Sequence, residues 1–252
     1  MYLFADVFWA PKAGSTEAEF EDAFHPTDKL EGEHGTFRFA IADGATESSF
    51  CRLWARLLVK AVGTGRLSPN YLEPTLSKLK KCWARSIHTK SLPWYAEEKA
   101  QSGAFSTLLG LFLTEPKEDD GRWEAFAIGD SCLFQVRDNQ LLASFPIKDS
   151  KSFTSRPVLL SSRDQSEDGR ESLQLLGGTW KYEDHFFLMT DALAQWFLTR
   201  YEFGEQPWSL LQSLGSRDYP SNFASWVNGL RQNKLLKNDD VTLWRISISY
   251  VP

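Results

Sequence analysis

Three cysteines, Cys51, Cys82 and Cys132, are all that the 252 residues contain. They are too few and too scattered for a disulfide framework or a zinc knuckle, and each is expected to act as a small buried hydrophobe. Histidine is scarce too: His25, His34, His88 and His185 show no zinc-binding spacing. No apolar run reaches the roughly eighteen residues of a membrane-spanning helix. Basic charge is also short. The formal net charge is -5, and binding a nucleic-acid backbone usually needs a basic face, so nucleic acid is excluded as the main partner. Met1 to Ala10 offers no basic lead-in and no apolar stretch of signal-peptide length, so a cytoplasmic protein is expected. There is no internal repeat and no low-complexity tract. Aromatic residues are plentiful instead. Ten Trp and eighteen Phe point to a core built largely from rings.

Hydrophobic periodicity orders the chain. Gly35 to Ala42 alternates like a strand, with Phe37, Phe39 and Ile41 on one side, and stops at Asp43-Gly44. From Phe50 the period becomes helical through Leu53, Trp54, Leu57, Leu58, Ala61 and Val62, and Gly63 ends it. Ser68 to Lys90 reads as a second helix with its four lysines outward. Sheet follows: Ser106 to Leu113, Trp123 to Ile128, a hairpin of Leu133 to Val136 and Leu141 to Phe145, then Trp180 to Tyr182 and His185 to Met189. Helical spacing returns at Ala192, Trp196 and Phe197 and through Phe223 to Leu230. Asp240 to Ser249 closes the chain as a strand, which should pair with an early one. Segregated runs of this kind predict an α+β layered fold, two packed sheets with helices outside, as a single domain over residues 1–252. Between Lys148 and Ser172 lies a polar excursion of weak period, readable as a functional flap or as a disordered surface insertion.

Four aspartates recur at strand ends: Asp43, Asp130, Asp191 and Asp239. A carboxylate beside a core is costly unless it is paired or holds a cation. Four of them delivered to one end of a sandwich would make an all-oxygen site, which suits Mg²⁺ or Mn²⁺ rather than zinc or copper. For Asp43 and Asp191 a helix N-cap is the competing reading.

Taken together, five short motifs resemble the protein phosphatase 2C family, in that family's order. They are Glu21-Asp22-Ala23-Phe24, Ala42-Asp43-Gly44, Gly103 and Ser106-Thr107 with Ile128-Gly129-Asp130-Ser131, Thr190-Asp191-Ala192-Leu193, and Asn238-Asp239-Asp240-Val241-Thr242. The resemblance implies an αββα sandwich of two antiparallel sheets flanked by helices, holding two or more Mg²⁺ or Mn²⁺ ions. It implies that Asp43 bridges two ions and that the Gly44 carbonyl is a further ligand. Asp191 and Asp239 would complete the first ion's shell. Asp22, with Glu21 near it, would serve the second, and Asp130 a third. The implied reaction is hydrolysis of phosphoserine or phosphothreonine in proteins by a metal-activated water, the catalytic set being Asp43, Asp191 and Asp239. The expected partner is a phosphorylated protein, without nucleic acid or membrane, and the chain is expected to be a monomer.

Three positions depart from the family pattern. Glu17 stands where most members carry a phosphate-binding Arg, a reversal of charge. Lys12, Arg38 and Lys148 are candidate substitutes. After Asp43-Gly44 the usual glycines and His are missing, and Glu47 adds negative charge. Ala192 takes the place of a Gly. These departures keep a second reading open, a phosphatase-like binding or regulatory module with weak or no turnover. A substrate that is a small phosphate ester rather than a protein is a third.

Overall fold

The computed structural model describes residues 1–33, 35–45, 50–88, 100–115, 121–163, 169–215 and 221–249. His34, Glu47 and the end of the second expected helix beyond His88 lie outside the described residues.

Among the described residues, thirteen strands form two antiparallel sheets and one short pair. The first sheet has six strands in the order β3 (Leu30–Glu33), β1 (Tyr2–Ala10), β13 (Val241–Ser249), β12 (His185–Met189), β8 (Cys132–Arg137), β9 (Gln140–Phe145). The second has five: β11 (Gln174–Trp180), β7 (Gly121–Ile128), β6 (Leu108–Thr114), β4 (Thr36–Ala42), β2 (Ala23–His25). The short pair joins β5 (Phe105–Ser106) to β10 (Leu160–Ser161). Helices α1 (Cys51–Gly63) and α2 (Leu72–His88) cover the five-stranded sheet, and α3 (Asp191–Glu202), α4 (Pro207–Ser213) and α5 (Ser221–Gln232) cover the other. This is the αββα sandwich expected from the sequence.

Strand alternation explains the layering. Phe186 and Leu188 of β12 enter the space between the sheets, while Phe187 and Met189 face the helices. On β4, Phe37, Phe39 and Ile41 likewise point between the sheets, and Ala40 and Ala42 leave room for α1. Strands buried on both faces read as nearly continuous apolar runs, which is why His185 to Met189 stood out so clearly. Trp196 and Trp226 meet edge to face at 5.3 Å in the outer core, as their helical spacing predicts.

Several local expectations need correction. Cys51 and Cys132 are buried but Cys82 is exposed. Lys80 is not outward: it is buried, and its Nζ donates to the Arg163 carbonyl at 3.1 Å. The last strand before β12 runs from Gln174 to Trp180, not from Trp180 to Tyr182. The closing strand finds its early partner in β1, in a register from Tyr2↔Ser249 to Ala10↔Val241. Asp6 interrupts the apolar pattern of β1, and it pairs with Arg245 of β13 at 2.7 Å.

Candidate metal centre

Topology brings the acidic motifs to one end of the sandwich. Strands β4 and β7 both run antiparallel to β6, so Asp43 and Asp130 emerge in the same direction. In the other sheet, Met189 at the end of β12 pairs with both Cys132 and Leu243. That register sets Asp191 and Asp239 beside the start of β8. Ala23 pairs with Ala42, which places Asp22 next to Asp43. Residues 220 positions apart thus meet because four strands end at one level: the Asp22 Oδ2 accepts from the Thr242 hydroxyl at 2.7 Å.

Hydroxyl groups lock the loops that carry the carboxylates. The Asp43 N–H donates to Thr107 Oγ1 at 2.9 Å, and the Asp43 carbonyl accepts from the Ser106 hydroxyl at 2.8 Å. Thr107 Oγ1 lies 2.9 Å from Ser131 Oγ, which ties the Asp43 loop to the Asp130 loop. Gly129 turns this second loop with φ of 102°, where a Cβ would strike Thr107 Cγ2 at 2.6 Å. Across the cleft, the Thr242 N–H donates to Thr190 Oγ1 at 2.9 Å, joining the Asp191 and Asp239 motifs. Asp240 is buried and accepts from the N–H groups of Lys12 and Glu21 at 2.8 and 2.6 Å. It therefore anchors the 12–22 loop rather than facing the cleft.

An open cavity of about 560 Å³ is lined by Asp43, Gly44, Asp130, Asp191 and Asp239, with Thr107, Lys237 and residues 154–157 and 159. Asp22 is not on this wall: it is 2% exposed, and it acts electrostatically on Asp43. Part of the 148–172 excursion, residues 154–157 and 159, forms one side of the cavity. Asp43 is no helix cap, since α1 begins only at Cys51. Asp191 is the first residue of α3, and its Oδ1 accepts from the Ala192 N–H at 2.6 Å.

Charge in this cleft is poorly compensated. Burial, then Asp22, Asp191, Asp239 and Asp130, hold the Asp43 carboxyl well above the usual carboxylate range. Burial, then Asp240, does the same to Asp22. Asp130 is pushed up to about 7, by burial first and by Asp191 second. Asp22 Oδ1 and Asp130 Oδ1 are buried and have no hydrogen-bond partner. In a buried carboxylate such orphaned oxygens are costly, and a cation relieves the cost. As placed, the carboxylates surround the cavity rather than clasp one point. Among the described residues no group of three acidic, His or Cys side chains is close enough to hold an ion without adjustment. Like charges resist convergence, and Lys237 stands between two of them, 3.1 Å from Asp191 and 2.7 Å from Asp239. The donors are all oxygen, two are unpartnered, and a cation already sits among them. The set fits hard divalent ions.

None of the three cations proposed from sequence lines the cavity. Lys12 pairs with Glu21 at 3.1 Å, Arg38 packs beside Gly65, and Lys148 lines a separate groove with β9 and β11. Sequence reasoning missed Lys237 and Arg156, which do line it. The signal for Lys237 was its position two residues before Asp239. Arg156 carried none, because only the folded excursion brings it to the cleft.

Gly44 is required by close approach. A Cβ there would lie 2.8 Å from the Glu21 carbonyl oxygen and 3.2 Å from Cys51 Cβ. Gly44→Ala is expected to push the Glu21-Asp22 loop away and weaken Mn²⁺ binding about tenfold, read by calorimetry on a folded variant.

Carboxylates from both sheets, gathered at one end of an αββα sandwich into a site suited to divalent ions, define a class of metal-dependent hydrolases. The model of the protein phosphatase 2C family matches residues 15–236, and the chain belongs to that family. By class it is a protein serine/threonine phosphatase. Its fold is similar to that of the Mycobacterium tuberculosis serine/threonine phosphatase PstP/Ppp, at 14% identity and a TM-score of 0.59, covering 99% of this chain and 100% of that one. A second PstP structure, in complex with two manganese ions, matches at 15% identity and a TM-score of 0.58, covering 98% and 100%. The photosystem II phosphatase PBCP matches at 16% identity and a TM-score of 0.58, covering 99% and 100%. Identities this low speak for the fold alone. No curated protein matches the chain by sequence. Among the described residues no helix is long and apolar enough to cross a membrane.

Proposed function

We propose that this chain hydrolyses phosphoserine and phosphothreonine esters in proteins with the help of two or more Mg²⁺ or Mn²⁺ ions. The observation that carries the reading is the convergence of Asp43, Asp130, Asp191 and Asp239 on one open cavity between the sheets. The two manganese ions of the PstP structure support the choice of metal. Asp43 would bridge two ions, with the Gly44 carbonyl beside it. Asp191 and Asp239 would complete one shell, Asp22 would serve the second ion directly or through water, and Asp130 would hold a third. Ions bound there would lower the pKa of a water to about 7 and neutralise charge on the phosphoryl group. The chain's own part is positional. Thr107, Ser131, Thr190 and Thr242 hold the carboxylate loops, and residues 154–157 close one side. An O–P bond forms from water as the serine or threonine oxygen leaves, giving the free alcohol and inorganic phosphate. No cysteine or serine nucleophile is required. We place the protein in the cytoplasm as a monomer.

A second reading has one observation in its favour: Lys237 occupies the space between two would-be ligands. A binding or regulatory module with weak turnover would keep such a lysine. The deciding measurement is hydrolysis of p-nitrophenyl phosphate and of a phosphothreonine peptide, with and without Mn²⁺, in wild type and Asp191→Ala. Turnover that needs Mn²⁺ and falls at least about 100-fold in the variant is expected. Manganese binding without turnover would favour the regulatory reading.

A further inference from the structure

The family's phosphate-binding arginine is replaced here by Glu17, which is exposed on a 3₁₀ turn and does not line the cavity. A phosphoryl dianion entering a cleft walled by four aspartates needs cationic groups of the protein as well as metal. Among the described residues, Lys237 and Arg156 are the two basic side chains that line this cavity.

We propose that Lys237 is the residue that takes hold of the substrate phosphoryl group, assisted by Arg156, and that it is released for this task when metal enters. The proposal rests on the phosphatase reading above. Lys237 Nζ pairs with both Asp191 and Asp239, at 3.1 and 2.7 Å. Those are the two carboxylates assigned to one metal shell. A divalent ion between them supplies twice the charge of an ammonium and repels it. The displaced Nζ cannot go far. Its backbone is two residues from Asp239, and its stem lies on the cavity wall. The side chain is 55% exposed, so it has solvent to swing into. A flexible point charge at the rim is suited to follow a phosphoryl group toward the ions.

Arg156 complements it. Its guanidinium has no ion pair among the described residues, and it sits on the excursion side of the same cavity. A planar guanidinium grips two phosphoryl oxygens at once. The arrangement implies an order of binding. Phosphate finds its lysine only after metal has freed it, so metal and phosphate should bind cooperatively.

Calorimetry tests this with Mn²⁺ titrated into the metal-free protein, then inorganic phosphate titrated into the Mn²⁺-loaded protein. The samples are wild type, Lys237→Met, Lys237→Arg and Arg156→Met, each checked for folding by circular dichroism. Lys237→Met is expected to bind Mn²⁺ several-fold more tightly, since its internal competitor is gone. The same variant should bind phosphate about tenfold more weakly, and its KM for p-nitrophenyl phosphate should rise in step. Lys237→Arg should recover most of the phosphate affinity, and Arg156→Met should weaken phosphate while leaving Mn²⁺ binding unchanged. Tighter Mn²⁺ binding in Lys237→Met with wild-type phosphate affinity would make the lysine a counter-ion only and overturn the proposal. A wild type that binds no Mn²⁺ at all would instead remove the phosphatase reading, and this one with it.

Discussion

Asp43→Ala should lower kcat/KM for p-nitrophenyl phosphate by at least about 1,000-fold in saturating Mn²⁺ and leave a folded protein behind. Asp43 is the carboxylate on which the others act: Asp22, Asp191, Asp239 and Asp130 all push on its charge. It is also the side chain proposed to hold two ions, so its loss should empty both shells at once. The fold should survive because the Asp43 backbone, not its side chain, holds the loop. Its N–H and carbonyl bond Thr107 and Ser106, and alanine keeps both contacts. In chelator the variant should be at least as stable as wild type, because a buried and crowded carboxylate has been removed. Kinetics with circular dichroism and urea unfolding check all three statements. A folded variant that retains full activity would sink the metal assignment.

The second large effect is on stability against pH. Asp130 has its folded-state pKa raised from 3.8 to about 7, and Asp22, Asp43 and Asp191 are raised in the same direction. A carboxyl raised on folding binds more protons in the native state than in the unfolded one. Its contribution is therefore present at low pH and is lost as pH rises through the folded-state value. In chelator, unfolding free energy should fall between pH 5 and pH 8, by about 2 to 3 kcal/mol from Asp130 alone. Mn²⁺ should remove most of that fall, since a bound cation compensates the charges that deprotonation creates. Urea unfolding at both pH values, with chelator and with Mn²⁺, gives the four numbers needed. Stability that rises with pH in chelator would mean that the carboxylates are already compensated within the protein.

The aspartates of every motif that resembles the family are present, while Glu17 stands where that resemblance implies a phosphate-binding arginine. Among the described residues, Lys237 and Arg156 are the basic side chains that line the cleft. Asp240 can stand in the closing motif for a local reason. Two backbone N–H groups satisfy it, and it works as a brace for the 12–22 loop.

Local chemistry determined much of this protein from its sequence alone. Alternating and helical periods are short-range properties, so β4, β12, α1 and the hairpin of β8 and β9 could be read directly. The aspartates at strand ends were legible for the same reason, because an acid that stops an apolar run is a local event. Whatever depends on distant partners had to wait for the tertiary structure. Strand β1 carries Asp6 in mid-run and makes sense only opposite Arg245. Strand β11 is exposed over most of its length and has no apolar alternation to betray it. Lys80 turns inward, where its Nζ donates to the Arg163 carbonyl. The cations of the cleft were decided in the same way. Lys12 looked available until Glu21 was found beside it, and Arg156 enters only because the excursion folds over the site. Charge is a long-range quantity, and its partners are set by topology rather than by neighbours in the chain.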